Sequence, residues 1–481
     1  MLENRGSNDE ETPSQPLLSE VARDREQGPQ HTRIHGWCSK VLDLEEAKDQ
    51  LMFSLPLVLT NLFYYLVALV SVMFAGHLGV PQLAGASLAN SWFTVTGVDV
   101  VVGLSGALET LCGQGFGAEE YEMLGIYLQS SCIISLIFST IISIIWSFTQ
   151  SILILLHQSP DISSTASLYM KFLIPGLFAL GILHNMLRFL QTQSVVWPLV
   201  VLSALPLMLH MGIAYALIFF TPLSFKGAPI SISITCWVAT LLLALYVMNA
   251  RSFKDTWKGF SFKSFHYLLT VFKLALSSAA MVCLEYWAFE ILIFLAGLLP
   301  DSEITTSLIA ICVSTEVIGY MFAYGLGAAA STRVANELGA DRPEKAKHAM
   351  GVALKLSILL SLCIIVPLLL GHGIWIQLFS SSSVIKQEFA SMAPLLAISI
   401  LLDCVQGILS AVARGCGWQQ LAVSVNLATF YLIGLPISCL LGFKFKLHAQ
   451  GLWIGLICGL AGQTGIFLIL TKNIKWTKLS V

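Results

Sequence analysis

The stretch Cys283-Leu-Glu-Tyr-Trp-Ala-Phe-Glu290 decides how this chain is read. It lies inside an apolar run from about Leu268 to Leu299, and about 20 apolar residues suffice to cross a membrane. Glu285 and Glu290 therefore sit where the surrounding medium is lipid. A charged side chain there costs at least about 2.5–3.5 kcal/mol. Carboxylates persist in such a place when they face a cavity and act in it, or when a partner neutralises them. A spacing of five residues turns them about 140° apart on an ideal helix, so both cannot point squarely into one cavity unless the helix is distorted.

The rest of the chain has the same character. Of 481 residues, 56% are hydrophobic and 11% charged, and the mean hydropathy is +0.78. Soluble proteins carry about 25% charged residues, so the chain reads as an all-α integral membrane protein. A net charge of −2 gives no footing to nucleic acid as a partner. The eleven cysteines are scattered, mostly in apolar runs (Cys132, Cys236, Cys363, Cys458), without metal-type pairing. They read as small apolar packers. Asn4 to Gln30 is rich in Glu, Asp, Arg, Ser, Pro and Gln, which predicts a disordered tail over 1–42. It has no apolar h-region, so it is not read as a cleaved signal.

Hydropathy predicts twelve spans, at 51–75, 86–109, 124–156, 165–190, 196–220, 228–249, 266–298, 304–332, 346–378, 387–413, 420–442 and 450–471. Pro56, Pro175, Pro206, Pro367, Pro394 and Pro436 fall inside them, and kinks are expected there. Twelve spans put both termini on one side. Arg251, Lys254, Lys258, Lys263, Arg333, Arg342, Lys345 and Lys347 fall on that side, whereas the other holds only Lys226, Lys386, Lys444 and Lys446. The termini are therefore expected in the cytosol.

The two halves repeat each other. Ala75-Gly76 matches Ala296-Gly297, Gly117-Ala118 matches Gly339-Ala340, and Gly227-Ala-Pro-Ile230 matches Gly451-Leu-Trp-Ile454. This gives an N-terminal lobe over 43–250, a linker loop over 251–265, a C-terminal lobe over 266–472 and a tail over 473–481. Six spans per repeat preserve orientation, so the pseudo-axis runs along the membrane normal, an architecture of transporters with sites near the midplane.

Six motifs stand in order on these spans: Gly76-His-Leu-Gly79, Gly106-Ala-Leu-Glu-Thr-Leu-Cys-Gly-Gln114, Arg188-Phe-Leu-Gln-Thr-Gln193, the Cys283–Glu290 stretch, Ser331-Thr-Arg-Val-Ala-Asn-Glu-Leu-Gly-Ala340 and Val412-Ala-Arg-Gly-Cys-Gly-Trp418. Over about 45–475 the chain closely resembles the multidrug and toxic compound extrusion (MATE) family, most of all its plant DETOXIFICATION-type branch. The resemblance implies two six-helix lobes in a V and an outward antiporter driven by an H⁺ gradient, without another cofactor. It implies proton coupling through Glu285 and Asp403, the latter in Leu402-Asp-Cys-Val-Gln-Gly-Ile-Leu-Ser410, with Glu290 as the second acid of the segment. Tyr286 and Phe289 match ring-bearing positions, and Asn61 matches a polar pocket position. The expected partners are membrane lipid and a small organic substrate, cationic or amphipathic, handled by a monomer in the plasma or vacuolar membrane.

The residues themselves agree with that chemistry. A carboxyl in a dry cavity keeps its proton, because desolvation disfavours the anion, and releases it when the cavity wets. If Glu285 and Asp403 approach each other, their titrations couple. Tyr286, Trp287, Phe289, Tyr320 and Tyr324 flank the pair, and rings hold flat organic cations. Three positions depart from the family: Asp99 and Glu316 add acids to the spans, and Ala323 stands where many members carry a proline. Asp99 and Glu316 are expected to contact the cavity. Glu109, Gln114, Arg333 and Asn336 read as scaffolding, Arg188 and Arg414 as caps or anchors at equivalent helix ends, and His184 and His210 as packing residues. Scarcity of interior Lys and Arg argues against a flippase for a lipid-linked pyrophosphate. A Na⁺-driven variant, with carboxylates and Asn61 as ligands, stays as an alternative. No nucleophile, metal or phosphate-cradling motif points to an enzyme.

Overall fold

A computed structural model describes residues 42–300, 302–380, 382–473 and Trp476. The expected N-terminal tail lies outside these residues but for its last position, and the C-terminal tail but for Asn473 and Trp476. Among the described residues, twelve helices are long and apolar enough to span a bilayer. They are α1 Leu44–Gly76, α2 Pro81–Gly117, α3 Tyr121–Ser147, α4 Pro160–Thr192, α5 Trp197–Phe219, α6 Ser224–Asn249, α7 Lys263–Ala296, α8 Glu303–Gly339, α9 Pro343–Gln377, α10 Ser383–Gly415, α11 Gln419–Lys444 and α12 His448–Asn473. Many exceed the predicted spans. A helix of 33 residues such as α1 is about 50 Å long, so its surplus over a hydrocarbon layer of about 30 Å is taken up by tilt or by projecting turns.

One local expectation changes. The span predicted over 124–156 stops at Ser147, turns at Phe148, and resumes as the short helix Thr149–Leu155. The stop follows Trp146, which is fully buried and donates from Nε1 to Thr96 Oγ1 at 2.8 Å. The prolines do not break the spans. Helices run unbroken through Pro56, Pro175, Pro206, Pro367 and Pro394. Around Pro175 the neighbouring helix supplies donors: Ser233 Oγ bonds the Phe172 carbonyl at 2.8 Å, and Trp237 Nε1 bonds that of Pro175 at 3.0 Å. These bonds hold α6 against α4 on either side of the proline. Wider π turns occur instead at Thr94–Val98 in α2 and on both sides of Pro436, at Leu427–Gly434 and Leu440–Lys444 in α11.

Each lobe has its own apolar core. One is built around Trp146, Tyr169, Phe189 and Phe253, the other around Phe389, Phe430, Trp453 and Leu460. The sequence repeat is visible as matched backbone contacts. A Cβ on Gly227 would sit 2.8 Å from the Leu217 carbonyl, and one on Gly451 would sit 2.5 Å from that of Leu441. The lobes meet where α2 crosses α8. There, a Cβ on Gly117 would lie 1.9 Å from the Asn336 carbonyl oxygen, and one on Gly339 would lie 2.0 Å from that of Gln114. Without water to drive association in lipid, small residues that let backbones touch are the main way to hold helices together. This crossing lies at the end of the molecule that carries the 251–263 loop, hereafter the linker end.

Gly117→Ala and Gly339→Ala are each expected to lower stability by about 1–3 kcal/mol, the usual cost of overpacking. Gly351→Ala, with nothing within 4 Å of the new Cβ, is the matched control. Thermal unfolding of the purified protein in detergent reads all three. Unfolding midpoints for the first two that match the control would show that the crossing is looser than described.

Candidate functional site

Helix α7 separates its two glutamates as the spacing requires. Glu285 is buried at 6% exposure, and Glu290 is exposed. Glu285 faces a small cavity at the junction of the lobes, lined also by Glu109, Arg188, Tyr286, Tyr320, Tyr324 and Arg414. The space open to the centre of a water molecule is about 20 Å³, room for about one water. Three rings form one wall. Tyr286 and Tyr320 meet edge to face with centroids 6.2 Å apart, and Tyr320 and Tyr324 lie 6.1 Å apart. The Arg188 guanidinium stacks 5.6 Å from the centroid of Tyr324 and donates from Nη2 to its hydroxyl. Gly407 makes room for this wall, since a Cβ there would meet the Tyr320 ring at 3.0 Å.

Behind the cavity lies a buried polar core of the C-terminal lobe. Ser410 Oγ donates to Glu285 at 3.3 Å. Gln406 and Gln463 bring their amides to the same carboxyl, although neither atom of the Gln406 amide closes a well-aligned hydrogen bond. Gln463 Nε2 donates to Asn426 at 2.7 Å, and Asn426 Nδ2 donates to the Met281 carbonyl of α7 at 2.9 Å. Asp403 is buried and does not line the cavity, so it does not share that wall with Glu285. It stands within electrostatic reach of both Glu285 and Glu316. Glu316 departs from its expected place too. It does not face the cavity but is buried against α10, where Ser399 Oγ lies 2.7 Å from its Oε2. A helix buried on several sides can turn an acid into its own lobe, and the sequence offered no sign of which side that would be.

Beside Glu285 lies a charge cluster whose importance the sequence concealed. Glu109 on α2 is almost wholly buried. Its Oε2 accepts from Arg414 Nε at 3.2 Å and from Ser331 Oγ at 2.8 Å, and its Oε1 pairs with Arg188 Nη1 at 3.1 Å. The Arg188 contact is an ion pair without hydrogen-bond alignment. Arg188 and Arg414 are thus not terminal caps. Each comes from the matching helix of one lobe, and both converge on one carboxylate. Thr110 donates to the Arg414 carbonyl, Gln114 Nε2 donates to that of Gly415 at 3.0 Å, and Gln191 Nε2 donates to that of Ala328 at 3.2 Å. Farther out, Gln50 Nε2 bonds the Ala349 carbonyl at 2.9 Å, and Arg333 pairs with Glu46 at 3.2 Å. Together these tie the lobes along the linker end.

The remaining expected site residues scatter. Asn61 lines a separate small cavity with His184, Gln191, Arg188 and Tyr324, so the Arg188–Tyr324 pair divides it from Glu285. Phe289 packs into the C-terminal core rather than onto the cavity. Asp99 is buried directly after the α2 π turn and lies within electrostatic reach of Glu290. Close by, Trp287 Nε1 donates to the Val95 carbonyl at 3.1 Å, fixing α7 against that turn. His210 is held from both ring nitrogens, by Ser71 at 3.0 Å and Thr235 at 2.8 Å, as a packing histidine should be.

The chain as a whole is similar to known proteins. The MatE family model matches residues 56–216 and 277–440, once in each half. Protein DETOXIFICATION 18 of Arabidopsis thaliana is 59% identical over 441 residues, covering 92% of this chain and 94% of that protein. Protein DETOXIFICATION 17 of the same plant is 42% identical, with 90% of this chain and 91% of its own covered. Among solved structures, the eukaryotic MATE transporter AtDTX14 superposes with a TM-score of 0.87 at 35% identity, covering 91% of this chain and 98% of its own.

Removing one partner of a buried ion pair costs about 3–5 kcal/mol, because the other charge stays buried and unmatched. Glu109→Gln, which strands two guanidiniums, is therefore expected to lower the unfolding midpoint far more than Glu122→Gln, whose lysine partners are exposed. Equal midpoints for the two variants would refute the central role given to Glu109.

Proposed function

This chain belongs to the multidrug and toxic compound extrusion (MATE) family of membrane transporters, and on that premise we propose that it is a proton-coupled antiporter exporting organic cations, xenobiotics or cationic secondary metabolites. One observation carries the reading: Glu285, a buried carboxyl, stands on the wall of the cavity between the lobes with two further buried acids behind it. An acid there binds a proton in the dry state and gives it up when the cavity opens to water.

The charge of the wall explains why exchange favours a cation. Glu109, Glu285, Arg188 and Arg414 all line the cavity, with Glu109 paired to both guanidiniums. With Glu285 ionised the four charges balance, and with Glu285 protonated the wall carries one positive charge. Protonation therefore expels a cation and deprotonation admits one. This is negative linkage between two ligands, the thermodynamic requirement for antiport. An anion would be drawn in by the same proton and carried along with it. The two arginines correct the view that the interior lacks basic residues. Both are engaged by Glu109, which leaves no free guanidinium pair for a pyrophosphate. The tyrosine wall supplies ring faces for a flat substrate.

A water-sized cavity holds no drug-sized molecule, which takes about 300–1,000 Å³. The lobes must part to load it. With the linker end in the cytosol, as the basic residues of its loops suggest, this conformer is the one closed to the cytosol. Asp99 and Glu290 lie towards the opposite end and give a leaving cation a second acidic contact. The Na⁺-driven alternative loses Asn61 as a ligand partner of Glu285, because the Arg188–Tyr324 pair stands between them.

Glu285→Gln and Asp403→Asn, each a neutral isostere, are expected to fold normally. They should reduce pH-gradient-driven cation export from proteoliposomes to the level of protein-free vesicles. Full transport by either variant would remove that residue from the coupling. With the wild type, imposing a Na⁺ gradient in place of the H⁺ gradient should drive no export, and export under Na⁺ alone would favour the alternative.

A further inference from the structure

Glu316 has no part in the cavity, yet its surroundings are those of a group that carries a proton. We propose that Glu316 and Asp403 form a proton-holding carboxyl pair in the core of the C-terminal lobe, so that this conformation stores two protons rather than one. The inference rests on the proton-coupled reading and extends it from the cavity wall into the lobe.

Three independent features support the pair. The first is hydrogen-bond bookkeeping at Ser399. Its hydroxyl has one hydrogen, and both Glu316 Oε2 at 2.7 Å and the Leu396 carbonyl at 3.0 Å lie within its reach. It also accepts from Trp453 Nε1 at 3.1 Å. If Glu316 is an acid, its O–H donates to Ser399 Oγ and the serine donates to Leu396. Ser399 can thus accept from a protonated Glu316 without giving up its own bond to Leu396.

The second feature is the other oxygen. Glu316 Oε1 is out of contact with water and has no hydrogen-bond partner. An ionised oxygen left that way is far more costly than the carbonyl of a neutral acid. Ser399 and Asp403 are four residues apart on α10, so Asp403 sits one turn along the same face. There it is within electrostatic reach of Glu316 and of Glu285.

The third feature is charge balance. Glu109, Glu285, Glu316 and Asp403 are all buried, with Arg188 and Arg414 as the buried guanidiniums among them. Four acids against two bases leave two carboxyls that lipid will not solvate, and two protons restore neutrality. The titratable groups facing Glu316 are Asp403 and Cys404 from α10 and Cys312 one turn away on α8. Trp453 of α12 and the Trp375–Thr315 bond from α9 contribute no charge. A proton leaving Glu316 for an Asp403 carboxylate moves one negative charge the opposite way. The pair's total charge is unchanged by that step, and passing the proton on to an ionised Glu285 leaves the total over the three acids unchanged.

Infrared difference spectroscopy tests this on the full chain in lipid nanodiscs, comparing mildly acidic with mildly alkaline medium. It needs no substrate and no gradient, so it can fail while the transport experiments succeed, and the reverse. In the wild type, a protonated-carboxyl C=O band assigned to Glu316 should lose intensity as the pH rises. That band should vanish in Glu316→Gln, whose amide N–H can still donate to Ser399, and its midpoint should move in Asp403→Asn. A band that vanishes in Glu316→Gln but never responds to pH in the wild type would make Glu316 a permanent structural hydrogen-bond donor and overturn the proposal. Absence of any missing band would mean that Glu316 is always ionised, with the same consequence. A midpoint untouched by Asp403→Asn would dissolve the pair.

Discussion

A single carboxylate, that of Glu109, holds one guanidinium from each lobe in a place where water cannot. Much else follows from that constraint. Lipid does not solvate charge, so each buried ion must find its match in the protein, and the matches are scarce. Arg414 comes from the C-terminal lobe, and Arg188 from the same lobe as Glu109. Closing the linker end is therefore the same event as pairing Arg414 with Glu109. The close crossing of α2 and α8 lies at the same end and allows the side chains to meet.

Glu285 borders this cluster rather than standing apart from it. It shares a cavity with Glu109 and Arg414, and Ser410, which donates to it, lies one turn before Arg414 on α10. A charge appearing on Glu285 is felt by the guanidinium that fastens the lobes together. This offers a physical route from proton occupancy to conformation: loss of the proton gives Arg414 a second anion to answer, and the hold of Glu109 on it weakens. No long-range wire is needed, because the proton site and the closure share a wall. The glutamates that seemed costly in the sequence are the means by which the molecule changes its charge at a fixed place.

Much of this was legible in the sequence, for reasons that also explain the omissions. Long apolar runs identified all twelve spans, because lipid leaves few alternatives to a helix. Small residues at matched positions revealed the repeat, since Gly117 and Gly339, and likewise Gly227 and Gly451, answer the same packing demand in each lobe. Helical spacing correctly separated Glu285 from Glu290. The break after Trp146 was missed although Ser147, Thr149, Gln150 and Ser151 interrupt the apolar run just there, because no Gly or Pro marks it. Nor was the Glu109 cluster, whose members are 79 and 226 residues away from their neighbours in the chain and look like ordinary helix-end charges. Glu316 pointed elsewhere than expected because a helix apolar on every side carries no phase. Gln406 was overlooked although it stands three residues after Asp403, and a polar residue one turn from a buried acid is a signal worth reading.

The central claim is that proton and cation compete for one charge in one cavity. It is tested most directly by adding an aromatic organic cation such as tetraphenylphosphonium to the purified wild-type protein in a weakly buffered solution, while following the pH and the amount bound. The account predicts that protons appear in the medium as the cation binds, and that binding weakens as the solution is made more acidic. Binding that releases no protons and is indifferent to pH would contradict it.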